Sequence, residues 1–574
     1  MTRHDEAMMM KAIVQIEQVW REVRHGLFLR RDLGEPITDL PDIGEEAAMA
    51  RGARARGILN DIDAIDATLL PGEIATTLAV ARVVATRLAR EGEWYWLVFD
   101  PLGVGFFAMF APTAYCAGFL LNSIHAILAA HPFARVGDLD RYLALVEDYA
   151  RLIDQIRERT EGQAARGIRM PVVQLDQSIE LVARLSASAP AALAPSPDRL
   201  GAVGTEEGRR RIDQRISDRV VTAFANLAAF LADPAYRAAA PEGVGIAQYP
   251  GGAEVYSALI EQHTTLALTS AEIHAEGIRR IAAIRAEMGR LSEQAGLDGT
   301  PEAYAAAIDA DPAWRAVDVD GVEAVFRRYI DRIAPHIDTQ FNFKPRARHD
   351  VAALPAELSA SMTFGYYEPP TADRPIGRYL FNAENLARNA MHNVAALNFH
   401  ELVPGHHFHF ASQRENDMLH PLRKNAFFNA FNEGWAEYAG KLAGEMGMYA
   451  APEERFGRLV MDAFLTCRLV VDTGMNALGW SLEQARDYMR ANAFMPETEI
   501  ASESVRYSCD IPAQSLAYKL GEHFLVDLRE AMRSALDDRF DIRDFHDAVL
   551  KPGALPLPMV AANVATATNE LAAT

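Results

Sequence analysis

The chain has 574 residues, half of them hydrophobic and 24% charged, with a formal net charge of −21. That length buries a sizeable core and predicts more than one compact unit. The acidic excess excludes phosphate backbones and anionic membrane surfaces, since both demand a basic face. No nucleic-acid or membrane partner is therefore expected. Cys116, Cys467 and Cys509 are far apart and odd in number, so they offer no disulfide framework and no cysteine zinc site. They predict reduced, buried thiols and a cytoplasmic protein.

The N-terminal stretch MTRHDEAMMMKAIVQIEQVW carries Asp5 and Glu6 ahead of any apolar run. It reads as a first helix, not as a signal or transit peptide. Apolar residues three and four apart predict helices over 5–26, 73–91, 138–160, 212–232, 269–295 and 322–338. Thr269 followed by Glu272 has the spacing of a capping box. From Pro101 to Leu121 no residue is charged, a length that permits a membrane span. Pro101, Gly103, Gly105, Pro112 and Gly118 interrupt it, so a buried, broken helical segment is expected.

Residues 186–204, SASAPAALAPSPDRLGAVG, lack periodicity and predict a loop. A soft boundary falls near residue 240. It divides a helical half covering a cleft (1–240) from a half carrying the chemistry (241–574), and one continuous domain remains compatible. Strand signals are confined to SMTFGYYEPP (361–370) and GRYLFN (377–382), which suit a small hairpin or edge ribbon. The expected class is mainly α, a large multi-helix fold with a deep cleft and a small β-ribbon.

The chemistry is concentrated in NFHELVPGHHFHF (398–410) and FNEGWAEYAGKL (431–442). In His-Glu-x-x-His the two imidazoles stand about 400° around the helix axis and ~6 Å along it, on one face. The Glu between them acts as general base on a metal-activated water. Here Pro404 occupies the fourth position after His400, and the next imidazoles are His406 and His407. On an ideal helix His406 points about 120° away from His400, while His407 faces correctly but lies ~10.5 Å along the axis. Pro404 removes an amide hydrogen, and Gly405 tolerates almost any backbone conformation. A break at this pair is expected, bringing His406 to the second ligand position. His407 is the competing choice and otherwise a supporting residue. His409 is set aside as structural.

His-Glu-x-x-Pro-Gly-His-His followed by Glu-Gly-Trp-Ala-Glu-Tyr resembles the bacterial "domain of unknown function 885" family, grouped with gluzincin metallopeptidases. YYEPP and RYLFN before the motif, RLVVDTGMNALGWS (468–481) and ESVRYSCDIPAQSLAYKLG (503–521) extend the resemblance over residues 360–525. It implies a gluzincin-like helical fold and a Zn²⁺ site with His400 and His406 as ligands and Glu401 as base. Glu433 would be the third ligand, from a separate helix, and Glu437 would orient a ligand His by a hydrogen bond. Glu433 and Glu437, four apart, share a helical face. The family pattern often has a His where this chain has Asn476.

Amide hydrolysis passes through an oxyanion that needs hydrogen-bond donors. Tyr518 is the first candidate and Tyr507 the second, while Arg506 or Lys519 would bind a substrate carboxylate. The expected function is zinc-dependent hydrolysis of an amide or peptide bond in short peptides. The alternatives are an amide hydrolase acting on a non-peptide metabolite, and a non-catalytic helical binding protein holding a metal. Retention of Glu401 counts against the last, because a structural site needs no base.

Overall fold

The computed structural model describes residues 3–113, 115–135, 137–201, 205–354, 365–371, 374–383 and 390–573. The fold is mainly α-helical with one small sheet. It divides into two compact units. One comprises Met1–Val255 with Ser508–Pro512, the other Tyr256–Tyr507 with Ala513–Thr574.

In the first unit, α1 (Arg3–Arg24), α2 (Glu45–Asp63) and α3 (Gly72–Trp94) pack on one another. The charge-free segment is irregular up to Pro112 and then enters α4 (Cys116–Ala130). Phe107 to Ala111 are buried. Arg159, on α5 (Asp138–Ala165), caps their carbonyls by donating from Nη1 to Met109 O at 3.0 Å. No described helix is long and apolar enough to cross a membrane.

Residues 186–204 correct the expectation of a loop. Helix α6 (Val172–Leu193) runs through the first part of this stretch with Pro190 inside it. Leu185, Ala189 and Leu193, four apart, are buried on one face. That packed stripe outweighs the single hydrogen bond Pro190 removes. Residues 202–204 lie outside the described ones. The predicted helix over 212–232 consists of Glu206–Arg215 and α7 (Thr222–Leu231), joined by a wider turn at Ile216–Val221.

The second unit opens with α8 (Ser270–Gln294), where both hydrogen bonds of the Thr269–Glu272 capping box are present. Next, α9 (Val319–Ile333) lies against a three-stranded sheet of order β1-β3-β2. β2 (Gly365–Glu368) and β3 (Ile376–Phe381) pair antiparallel with Tyr367 opposite Tyr379. β1 (Arg348–Ala353) adds a parallel partner to β3, with Val351 opposite Tyr379. Its sequence, RHDVAA, carries no strand signal. Residues 361–364 of the predicted strand lie outside the described ones.

Six helices carry the candidate site: α10 (Val394–Glu401), α11 (His406–Glu415), α12 (Asn429–Glu445), α13 (Pro452–Ala477), α14 (Glu497–Val505) and α15 (Ala517–Leu536). Buried Asp472 on α13 ties down the segment leading into α15. It accepts from Tyr256 Oη (2.8 Å), Ser515 Oγ (2.7 Å) and the Ala513 amide (3.1 Å). Asn476, one turn on, donates to Asp472 and to the Tyr507 carbonyl, so it serves as a buried strut.

α12 and α15 cross where Gly434 meets Gly521. A Cβ on Gly434 would lie 2.5 Å from Gly521 Cα, and one on Gly521 would lie 2.0 Å from the Ala430 carbonyl oxygen. This close approach fixes the helix that carries Glu433 and Glu437. Gly434→Ala and Gly521→Ala are each expected to destabilise the protein by about 1–3 kcal/mol through overpacking. Denaturant titration of the purified variants measures the loss, and wild-type midpoints would contradict the crossing.

Candidate metal centre

α10 ends at Glu401, where Leu402 leaves helical geometry, and α11 begins afresh at His406. The peptide before Pro404 is cis. A Cβ on Gly405 would sit 1.9 Å from the His400 carbonyl oxygen, so this turn accepts only glycine. Trp435 of α12 pins the turn by donating its Nε1 hydrogen to the Pro404 carbonyl at 2.9 Å. The break anticipated from Pro404–Gly405 is therefore present. It leaves the His400 and His406 rings 4.8 Å apart at 85°.

Glu433 arrives from α12. Its Oε2 lies 3.6 Å from His400 Nε2 and 3.2 Å from His406 Nε2. Ligand atoms held tetrahedrally at the usual zinc distances are separated by about 3.3–3.4 Å. Two imidazole nitrogens and one carboxylate oxygen, all within 4.8 Å of one another, thus fit a single ion. Without an ion, burial works against charge on His400, but hydrogen bonds with Glu433 and Glu437 prevail and lift it to about 10. Burial likewise resists ionisation of Glu433, and the two imidazoles still hold it far below the usual carboxylate range.

His400 and His406 are each braced from behind. His400 Nδ1 lies 2.8 Å from Glu437 Oε1, the relation proposed from the helical spacing of Glu433 and Glu437. The other oxygen of Glu437 accepts from Arg458 Nη2 at 2.9 Å. Arg458 also reaches Asp462 (2.7 Å), and Lys519 Nζ donates to Asp462 (2.6 Å) and to Glu522. Glu437, Asp462 and Glu522 are spaced closely enough for a second ion, but Arg458 and Lys519 already supply the positive charge among them. Burial opposes ionisation of Glu437, and Arg458 outweighs it. His406 Nδ1 lies 3.2 Å from His409 Nε2, so His409 supports His406. Sequence reasoning missed this. The signal was the three-residue spacing of the two histidines, one helical turn.

His407 lies outside the group formed by His400, His406 and Glu433. Its Nδ1 accepts from Tyr367 Oη at 2.9 Å and its Nε2 donates to the Ala347 carbonyl at 3.0 Å. Burial pushes it down to about 3, so it stays neutral and ties α11 to the sheet. Glu401, 8% exposed, adjoins His400. Burial raises its carboxyl, opposed by His400 and His406.

Tyr518 is half-buried with its ring 6.2 Å from that of His400 and nearly parallel to it. Tyr507, the second oxyanion candidate, is fully buried, and its hydroxyl is committed to Glu503. Arg506 bonds Gln514 (2.8 Å) and lies 3.5 Å from Glu503. Lys519 corrects the carboxylate-binding expectation, since its side chain is 3% exposed and enclosed by acids behind the ligands.

The sequence pattern of the family described as "Bacterial protein of unknown function (DUF885)" matches residues 29–564. A solved structure from Colwellia psychrerythraea, titled a "putative lipoprotein", superposes with a TM-score of 0.83. It is 24% identical and covers 99% of this chain and 98% of its own. A "putative lipoprotein of unknown function" from Shewanella oneidensis gives a TM-score of 0.70 at 16% identity, over 97% and 98% of the two chains. At these identities the likeness is one of fold. No curated protein matches the chain.

Elemental analysis of the purified protein is expected to give one transition-metal ion per chain, lost in His406→Ala and Glu433→Ala and kept in His407→Ala. Gly405→Ala should also lose it, because the added methyl group pushes His400 away from His406. Metal retained in His406→Ala but lost in His407→Ala would reassign the second ligand.

Proposed function

We propose that this chain, which belongs to the DUF885 family of bacterial proteins, is a zinc-dependent hydrolase of amide or peptide bonds in short substrates. The observation that carries this reading is the convergence of His400, His406 and Glu433 with Glu401 directly beside a ligand. Two imidazoles and one carboxylate suit zinc among the common ions, and a third ligand from a separate helix follows the gluzincin pattern. When bound, the ion supplies Lewis-acid activation of water and of the scissile carbonyl.

The chain's own residues supply the rest. The Glu401 carboxylate takes a proton from the attacking water and returns it to the leaving nitrogen, so water is added across the C–N bond with no other reactant. Glu437 holds the His400 ring with Nε2 turned toward Glu433 and His406. Tyr518, partly exposed and stacked near His400, offers its hydroxyl to the developing oxyanion.

Glu401→Gln is expected to keep the metal and fold while turnover of a peptide library falls by a factor on the order of 10²–10⁴. Retention of most turnover would remove Glu401 as the base. Tyr518→Phe should lower kcat by about 10²–10³ with little change in KM. A change confined to KM would make Tyr518 a binding residue only.

A further inference from the structure

Arg468 lies on α13 within a cage of aromatic rings. Its Cζ is 4.5 Å from the Phe464 ring, 5.4 Å from Tyr507 and 4.7 Å from Tyr518. The side chain is 5% exposed, and its sole anionic partner among the described residues is Glu503, at 3.2 Å from Nη2. Glu503 Oε2 is shared, for it also accepts from the Tyr507 hydroxyl and from Arg506. Nε and Nη1 of Arg468 are buried without any hydrogen-bond partner, and among the described arginines it alone has two such nitrogens. A buried donor left unmade costs roughly 1–3 kcal/mol, more when charged, so a guanidinium with two of them calls for an acceptor.

Aromatic faces cover the guanidinium, which directs an acceptor to its edge, where it binds carboxylates. Tyr518 places the guanidinium near the His400 cluster, since the ring that lies against Arg468 also stacks on His400. The two contacts in series, 4.7 Å and 6.2 Å, keep the guanidinium carbon within roughly 11 Å of the His400 ring, about three extended residues at 3.3–3.6 Å each.

We propose that Arg468 anchors a free carboxylate on the substrate, one or two residues beyond the bond that reacts. Resting on the hydrolase reading above, this narrows the substrates to short peptides or acylated amino acids with a free α-carboxylate. Arg468 takes the role that the sequence suggested for Arg506 or Lys519.

The test uses N-acetylated tripeptides, each as free acid and as carboxamide. Binding is measured by calorimetry on full-length, zinc-loaded Glu401→Gln, and cleavage on the zinc-loaded wild type. The free acids are expected to bind at least tenfold more tightly than the amides. Arg468→Gln, added to Glu401→Gln, should abolish that preference, bringing free-acid binding down to the level of the amide. Arg468→Lys keeps the buried charge but not the planar fork, and should abolish most of it. Acid and amide binding alike, or neither binding, overturns the proposal and does so even if both Arg468 variants fail to fold. A preference that survives Arg468→Gln also overturns it, because the carboxylate would then be held elsewhere, for instance by the metal. Acid-selective binding that depends on Arg468, with no cleavage by the wild type, keeps the anchor and overturns the hydrolase reading instead.

Discussion

The contact on which the candidate site depends is the approach of Gly405 to the carbonyl of His400, where a single methyl group would lie 1.9 Å from the oxygen. Six residues along a continuous helix would turn His406 about 120° from His400. The chain instead stops α10 at Glu401, turns through Leu402–Gly405 and restarts at His406. Trp435 holds that turn from α12, the same helix that delivers Glu433 and Glu437. One helix thus positions Glu433 and holds the turn that brings His400 and His406 together, and the Gly434–Gly521 crossing fixes that helix against α15.

Behind His400, His406 and Glu433, charge is arranged in layers. Glu433 faces the two imidazoles, Glu437 backs His400, and Arg458 and Lys519 back Glu437. Removing ions from water costs several kcal/mol each, and a buried group of this kind survives only if every charge is paired. The pairing here keeps Glu437 ionised and its lone pair on His400 Nδ1, which fixes Nε2 toward Glu433 and His406. His406 is braced differently, by the neutral imidazole of His409, whose Nδ1 is buried without a partner.

Much of this was legible from the residues alone, and the failures have physical causes. Periodicity located the long amphipathic helices, and the Thr269–Glu272 box marked the start of α8 within a residue. Pro404 and Gly405 announced the break because spacing and backbone chemistry leave no other way to bring His400 and His406 together. Lys519 was misread because a sequence shows a charge but not its burial, and its three acidic neighbours come from α12, α13 and α15. The 186–204 stretch was misread because composition hid the four-residue stripe Leu185, Ala189, Leu193. β1 was invisible because RHDVAA is stabilised by its neighbour β3 and not by its own propensity. Arg468 stood inside a quoted motif without drawing notice, since its unmet nitrogens exist only in three dimensions.

The central claim is that one ion is shared by three helices, the two that meet at a broken turn and α12. Anomalous diffraction at the zinc edge, on crystals of the zinc-loaded protein, tests it most directly. The account predicts a single strong peak about 2.0–2.2 Å from His400 Nε2, His406 Nε2 and a Glu433 oxygen, with Glu437 bonded to His400 and not to the ion. A peak on His407, a peak among Glu437, Asp462 and Glu522, or no peak at full zinc loading would contradict it.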